Sequence, residues 1–207
     1  MKLTKEEKLT IESYDLNAES WAAAHDQPEI FRTELNYLRK LLPQGKLLEI
    51  GCGGGRDAQK LIRKGYDYLG TDISKGLLEV AKKNNPGATF INKSVYDLDF
   101  PKDSFDGFWA AACLLHIPKS KIEVALQQIR RVVRNGGIGM ISLKEGKGEK
   151  FLKEDRKEGK FERYWSFYSR EEFTKVLEDN GYQILHFRRN PVSEKTIWLI
   201  YFVKIVK

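Results

Sequence analysis

Three stretches of this chain gather groups able to bind a ligand or carry a proton. The first is the run Leu48-Glu49-Ile50-Gly51-Cys52-Gly53-Gly54-Gly55-Arg56-Asp57. Glycines there let the backbone turn sharply and let a ligand approach without Cβ clashes, at the point where a helix N-terminus begins. The plain alternative is a tight turn with no ligand. The second is Asp72, in Gly70-Thr71-Asp72-Ile73. An acidic side chain ending a strand can accept hydrogen bonds from both hydroxyls of a ribose, or it can simply cap the next helix. The third pairs His116 with the aromatic segment Phe161-Glu162-Arg163-Tyr164-Trp165-Ser166-Phe167-Tyr168. His116 follows an apolar strand, where ligands of open α/β sheets gather, and is the best general-base candidate. Holding its own loop is the alternative role for that imidazole. Arg163, Tyr164, Trp165 and Tyr168 are read as lining a substrate pocket, the alternative being a loop core packed on the sheet edge.

These residues need elements to position them, and the periodicity supplies a set. Lys5 to Leu42 reads as helical, with Ile30, Leu35, Leu38, Leu41 and Leu42 near helical spacing and Pro43 with Gly45 ending it. Strands and helices then alternate. Strands are expected at 46–50, 66–71, 88–92, 105–112 and 138–143, separated by helices at 57–64, 74–83 and 119–134, the last turned by Asn135-Gly136-Gly137. The continuous apolar run at 105–112 marks a central strand. A helix at 170–180 is capped by Ser169 and stopped by Gly181. Strands at 183–189 and 196–203 follow, and a short loop containing Asn190-Pro191 makes them an antiparallel pair. Lys144 to Arg163 mixes both signs of charge almost evenly and reads as a solvated helical face or a mobile lid. The alternation predicts an open, mostly parallel sheet in an α/β fold.

Composition narrows the class. The chain has 207 residues, enough for one α/β domain with a substantial core. No apolar run approaches the roughly 20 residues of a membrane helix, and the charged N-terminus has no signal-peptide core. The two cysteines, Cys52 and Cys113, make no disulfide framework, and no Cys/His cluster has metal-binding spacing. A reducing, cytoplasmic setting with no metal is the expectation. The net charge of +7 is dispersed, so a nucleic-acid partner is an alternative and not the favoured reading. A nicotinamide dinucleotide site is disfavoured, because the G-x-G-x-x-G pattern begun at Gly51 would place its third small residue at Arg56.

Glu49, Gly51, Gly53 and Gly55 alternate as E-x-G-x-G-x-G, and this resembles the first motif of the class I methyltransferases that use S-adenosylmethionine (SAM). The resemblance runs on through Asp72, through Ser94 to Asp106, through Trp109 to Pro118 and through Asn135-Gly136-Gly137. It is continuous over Leu47 to Leu143 and looser at both ends. It implies a Rossmann-like fold: a seven-stranded, mostly parallel sheet with an antiparallel last strand and helices on both faces. Residues 1–44 would form a helical lid and 45–207 the α/β core of one domain. It also implies a SAM site, with S-adenosylhomocysteine (SAH) as product. Glu49, Gly51, Cys52, Gly53, Gly55 and Asp57 would form its loop side, with Asp72 on the ribose and Ile73 on the adenine. Ser94 stands where relatives often carry an Asp facing the adenine amino group, so that contact passes to Ser94 or to Val95. Ala110, Ala111 and Leu115 would complete the site from the fourth strand, under Tyr14 and Trp21 of the lid.

The implied reaction is in-line methyl transfer to an N, O or S nucleophile of a small molecule. An RNA or protein acceptor is the alternative, and a non-catalytic SAM-binding protein is a third reading, since Ser94 and Ala111 replace polar groups common in relatives. A monomer or homodimer is expected.

Overall fold

We describe the protein from a computed structural model, over residues 2–27, 31–194 and 196–207. Ile30, one of the apolar positions in the N-terminal pattern, lies outside the described residues. Nine strands and seven α-helices are described: α1 (Lys5–Leu16), α2 (Ala18–His25), α3 (Arg32–Leu41), β1 (Gly45–Ile50), α4 (Ala58–Arg63), β2 (Tyr66–Asp72), α5 (Lys75–Asn84), β3 (Thr89–Asn92), β4 (Phe105–Ala111), α6 (Ile122–Val132), β5 (Val133–Lys144), β6 (Glu149–Arg156), β7 (Gly159–Ser166), α7 (Arg170–Asp179), β8 (Tyr182–Ser193) and β9 (Thr196–Ile205).

Seven strands form one sheet in the order β3-β2-β1-β4-β5-β9-β8. Every pair from β3 to β5 is parallel, and β9 runs antiparallel to both neighbours. This is the expected Rossmann-like α/β sheet. The order reverses at β1, so the C-terminal ends of β1 and β4 open the crevice in which ligands of such sheets bind.

Both faces of the sheet are covered, so β1 and β4 bury apolar side chains on each side, with Glu49 the buried acidic exception in β1. Leu48, Phe108, Ala110 and Ile141 pack with Ile122, Leu126 and Ile129 of α6 and with Phe173 and Leu177 of α7. On the other face, Leu47, Trp109, Met140 and Ile200 pack with Leu35 and Leu38 of α3, Leu61 of α4 and Leu78 of α5. The expected N-terminal helix is therefore three helices with two jobs. α3 belongs to the core, and α1 with α2 crosses the C-terminal ends of the strands.

The segment expected as a solvated helical face or lid is instead a β-hairpin. β6 and β7 pair antiparallel from Glu149↔Ser166 to Arg156↔Gly159 around the turn at Lys157 and Glu158. The outer edge of β7 meets α1, where side chains stand in for a strand partner. Glu162 N–H donates to Ser13 Oγ (2.9 Å) and Tyr164 N–H to Thr10 Oγ1 (2.9 Å). Asn17 Nδ2 and Ser20 Oγ donate to the Lys160 and Glu158 carbonyls (3.0 and 2.6 Å). Thr10, Ser13, Asn17 and Ser20 recur at helical spacing, so a polar stripe on α1–α2 closes a strand edge that would otherwise be exposed. A second correction concerns Asn190-Pro191. These residues lie inside β8, opposite Trp198 and Ile197, and the turn follows Ser193.

Candidate active site

The C-terminal ends of β1, β2, β4 and β5 open into a cavity of about 1010 Å³, roofed by α1, α2 and β7. Its floor is the glycine loop. A Cβ on Gly51, where φ is 68°, would stand 2.4 Å from Cys113 Sγ, so only glycine fits there. A Cβ on Gly53, at φ 54°, would meet nothing within 4 Å, because the loop faces open cavity at that point.

Asp72 secures this loop from β2. Its two carboxylate oxygens accept from Gly53 N–H and Ser74 N–H, both at 2.8 Å. Each oxygen keeps acceptor capacity on the cavity side. Burial raises the Asp72 carboxyl, and the backbone donors of Ser74, Gly53 and Ile73 pull it back only in part. The helix-capping alternative is also realised, but by Ser74, whose Oγ accepts from Leu77 N–H (3.1 Å). The lid is tied to the same turn: Ser74 Oγ and Gly76 N–H donate to Asp15 Oδ1 at 2.6 and 2.8 Å.

Behind the loop lie two buried acids of opposite character. Burial works against the charge of Asp57, but Arg56, bonded through Nε (3.0 Å) and Nη2 (2.7 Å), outweighs it and holds the carboxyl low. Lys60 and the Trp109 Nε1–H (3.2 Å) add to this. Among the described residues Glu49 has the Tyr68 hydroxyl as its one side-chain donor. Burial, reinforced by the charge of Asp57, raises it to about 8, so Glu49 carries its proton at neutral pH.

Tyr14, Trp21, Glu49, Gly51, Cys52, Gly53, Gly55, Asp57, Asp72, Ile73, Ser94, Val95, Ala111 and Leu115 all line the cavity. Ala110 does not, because it is wholly buried and its side chain packs on the α6 face of the sheet. The Ser94 hydroxyl accepts from Tyr96 N–H (3.2 Å), as in a turn.

His116 touches the cavity but presents no free nitrogen. A carbonyl can only accept, so the contact from Nδ1 to the Tyr164 carbonyl (2.6 Å) puts the proton on Nδ1. Nε2 then accepts from the Tyr14 hydroxyl (2.9 Å), which in turn accepts from Arg163 Nη1 (3.1 Å). Burial pushes the imidazole down to about 3, and the charges of Arg163 and Lys144 add to that. The geometry supports the loop-holding alternative.

Of the four residues expected in a substrate pocket, Arg163 and Trp165 line the cavity, while Tyr164 and Tyr168 do not. For Tyr164 the cause is the strand. Side chains on β7 alternate, so Phe161, Arg163 and Trp165 face inward while the Tyr164 hydroxyl bonds Glu149 on the other side. Arg163 is fully buried, paired with Glu154 and surrounded by the rings of Tyr14, Trp21, Phe161 and Trp165. Tyr168 is 1% exposed and its hydroxyl has no hydrogen-bond partner among the described residues. An unmet buried hydroxyl costs about 1–3 kcal/mol. Tyr168→Phe is therefore expected to leave binding unchanged and to raise stability by about 1 kcal/mol in urea unfolding. A loss of ligand affinity in that variant would return Tyr168 to the pocket.

The cavity also gathers Phe31, Lys144, Arg156, Arg188 and Trp198, which were not singled out in the sequence. Lys144 had a readable signal, since it ends β5 on the ligand-binding side of the sheet. Arg156 and Arg188 had none, because their placement depends on the hairpin and on the full length of β8. No His/Cys/Asp/Glu group able to hold a metal occurs among the described residues, and none of the described helices is long and apolar enough to cross a membrane.

Comparison with known proteins meets this geometry. Residues 47–137 match the family model described as "Methyltransferase domain". An uncharacterized protein of Methanocaldococcus jannaschii is 32% identical over 176 residues, 82% of this chain and 80% of that protein. The chain belongs to the class I SAM-dependent methyltransferases. A Streptomyces halstedii methyltransferase is 33% identical over 113 residues, 51% of this chain and 40% of that enzyme. The chain thus spans most of the archaeal relative but under half of the Streptomyces one. The crystal structure of a Burkholderia thailandensis 1,6-didemethyltoxoflavin N1-methyltransferase, with that compound and SAH bound, superposes with a TM-score of 0.70 at 18% identity, covering 100% of this chain and 93% of that one. As a SAM-dependent methyltransferase, the chain has in its glycine loop and in Asp72 donors and acceptors of the kind the donor molecule needs.

Proposed function

We propose that this methyltransferase transfers the SAM methyl group to a small organic acceptor held in the same cavity as the donor. The observation that carries the reading is the continuity of that cavity, from Gly53 and Asp72 at one end to Lys144, Trp165 and Trp198 at the other. Its volume of about 1010 Å³ suits a nucleoside-sized donor with a compact acceptor beside it. The Burkholderia neighbour, with its small bound compound, gives the same direction.

When bound, SAM supplies the electrophile, a methyl group on a sulfonium. The chain's own residues bind and orient. Asp72 would accept from the ribose hydroxyls with the lone pairs left by Gly53 and Ser74. Ile73 and Val95 would flank the adenine, and Ser94 would meet it through its backbone or through its hydroxyl, which keeps its proton and a second lone pair beyond the bond from Tyr96 N–H. Glu49, Gly51, Cys52, Gly55 and Asp57 would shape the loop side, Ala111 and Leu115 the floor, and Tyr14 and Trp21 the roof. His116, Tyr14 and Arg163 form one bonded relay that fixes the roof against β7. In this reading His116 is a positioning residue and takes no proton from the acceptor. The acceptor then needs a nucleophile that attacks without help from that imidazole, such as an amine or thiol near its pKa.

Calorimetry with SAM and SAH, using NAD as control, tests the donor site. Micromolar binding of the SAM pair alone is the expected outcome, and binding of neither overturns it. A screen of radiolabelled methyl transfer to small molecules, RNA and protein then tests the acceptor class. Transfer to RNA that falls steeply with salt would favour the nucleic-acid alternative raised by the +7 charge.

A further inference from the structure

The acceptor half of the cavity is lined by four cations: Lys144, Arg156, Arg163 and Arg188. Three of them have carboxylates. Arg156 and Arg163 share Glu154, and Arg188 Nη1 pairs with Glu34 at 2.8 Å. Lys144 is the exception. Among the described residues no carboxylate lies within ion-pairing distance of its Nζ, which sits 4.1 Å from the ring centre of Trp165 and 5.9 Å from that of Trp198. Since one carboxylate serves both Arg156 and Arg163, this end of the cavity is left with an excess of positive charge.

A second, independent feature points the same way. Trp165 lines the cavity and is 5% exposed, yet its indole N–H has no hydrogen-bond partner among the described residues. Buried donors are nearly always satisfied, and an orphan in a ligand cavity marks a place where the ligand supplies the acceptor. The unpaired ammonium and the unpaired indole N–H belong to side chains in contact with each other. Both lack the same thing, an oxygen with lone pairs. Burial, with Arg156 nearby, lowers the Lys144 ammonium, and an anion beside it would reverse that.

Resting on the donor reading above, we infer that the methyl acceptor carries an anionic oxygen group, a carboxylate or a phosphate, which binds Lys144 and the Trp165 indole N–H between the two tryptophans. The group is a recognition handle that orients the acceptor, and it is distinct from the nucleophile that receives the methyl group.

Matched probes test this on the whole chain, with and without saturating SAH. Benzoate and phenyl phosphate are titrated against neutral benzamide, by tryptophan fluorescence and calorimetry, in the wild type and in Lys144→Gln. At least one anion is expected to bind about tenfold or more tightly than benzamide, the scale of one charge-assisted hydrogen bond. In Lys144→Gln that preference should fall to near unity while SAH still binds, which shows that the variant is folded. Which anion wins separates carboxylate from phosphate. Equal binding of benzamide, failure of both anions to bind, or a preference that survives Lys144→Gln overturns the inference. Anion selectivity without SAH binding would keep the anion site and overturn the donor reading instead.

Discussion

Asp72→Ala is expected to weaken SAM and SAH binding by about 100-fold or more, since two hydrogen bonds to a charged acceptor, each worth about 1.5–3 kcal/mol, disappear together. The structure gives Asp72 a double task. Its carboxylate pins the glycine loop through Gly53 N–H and starts the α5 turn through Ser74 N–H. Its remaining lone pairs face the cavity. The alanine variant loses both functions, so some loss of melting temperature should accompany the loss of affinity. Asp72→Asn separates the two. It keeps the size and one carbonyl acceptor but loses the charge, and should bind SAH with intermediate affinity. Calorimetry of both variants, with circular dichroism as the folding check, reads the effect. Affinity within a few fold of wild type in folded Asp72→Ala would remove Asp72 from the donor site. The pH dependence has a fixed sign. Burial raises the Asp72 carboxyl, so affinity that needs its charge should fall as pH drops through a range above that of an exposed carboxylate.

The same residue shows why the site was legible in sequence. Glycine spacing after an apolar strand and an acid ending the next strand are local signals, and strand order does not change their meaning. Gly51, Gly53 and Asp72 meet because β1 and β2 are neighbours in parallel register, Ile50 beside Thr71. The central strands were equally plain, since β1 and β4 are buried on both faces and mostly apolar, with Leu47, Leu48 and Ile50 in one and Phe108 to Ala111 in the other.

The hairpin was not legible for the opposite reason. Glu149 to Arg156 has six charged residues around Phe151 and Leu152, one apolar side chain on each face, so neither face of β6 carries an apolar stripe. The partner surface of the hairpin is the polar stripe of Thr10, Ser13 and Asn17, which hydrophobic periodicity cannot detect. That omission carried the error at Tyr164. Read as a loop, residues 163–165 could all face a ligand. As a strand, β7 turns Tyr164 away and brings Arg163 and Trp165 inward. His116 followed, because its ring is held by the Tyr164 carbonyl of that strand and by Tyr14 of the helix that covers it.

Glu49 makes the second large prediction, and its sign is opposite to that of an ordinary ion-paired acid. Burial raises its folded pKa to about 8 from an ordinary value of 4.5. Between those limits the folded chain holds a proton that the unfolded chain has lost. Stability from this group is therefore fully present below about pH 4.5 and drains away as pH climbs to about 8, at a slope approaching about 1.4 kcal/mol per unit. Urea unfolding at pH 6, 7 and 8 should show this decline in the ligand-free protein, and Glu49→Gln, isosteric with the protonated acid, should flatten it. Equal slopes in the two proteins would mean that Glu49 is ionised throughout. The same proton couples to the donor. A cation entering among Glu49, Asp57 and Asp72 favours the ionised form of Glu49, because opposite charge lowers a raised carboxyl. SAM, with its sulfonium, should release part of a proton on binding at pH 7, seen as an enthalpy that varies with the ionisation heat of the buffer. SAH lacks that charge and should release less. In Glu49→Gln the buffer dependence should vanish for both ligands, which assigns the proton to this side chain and not to the ligand amine.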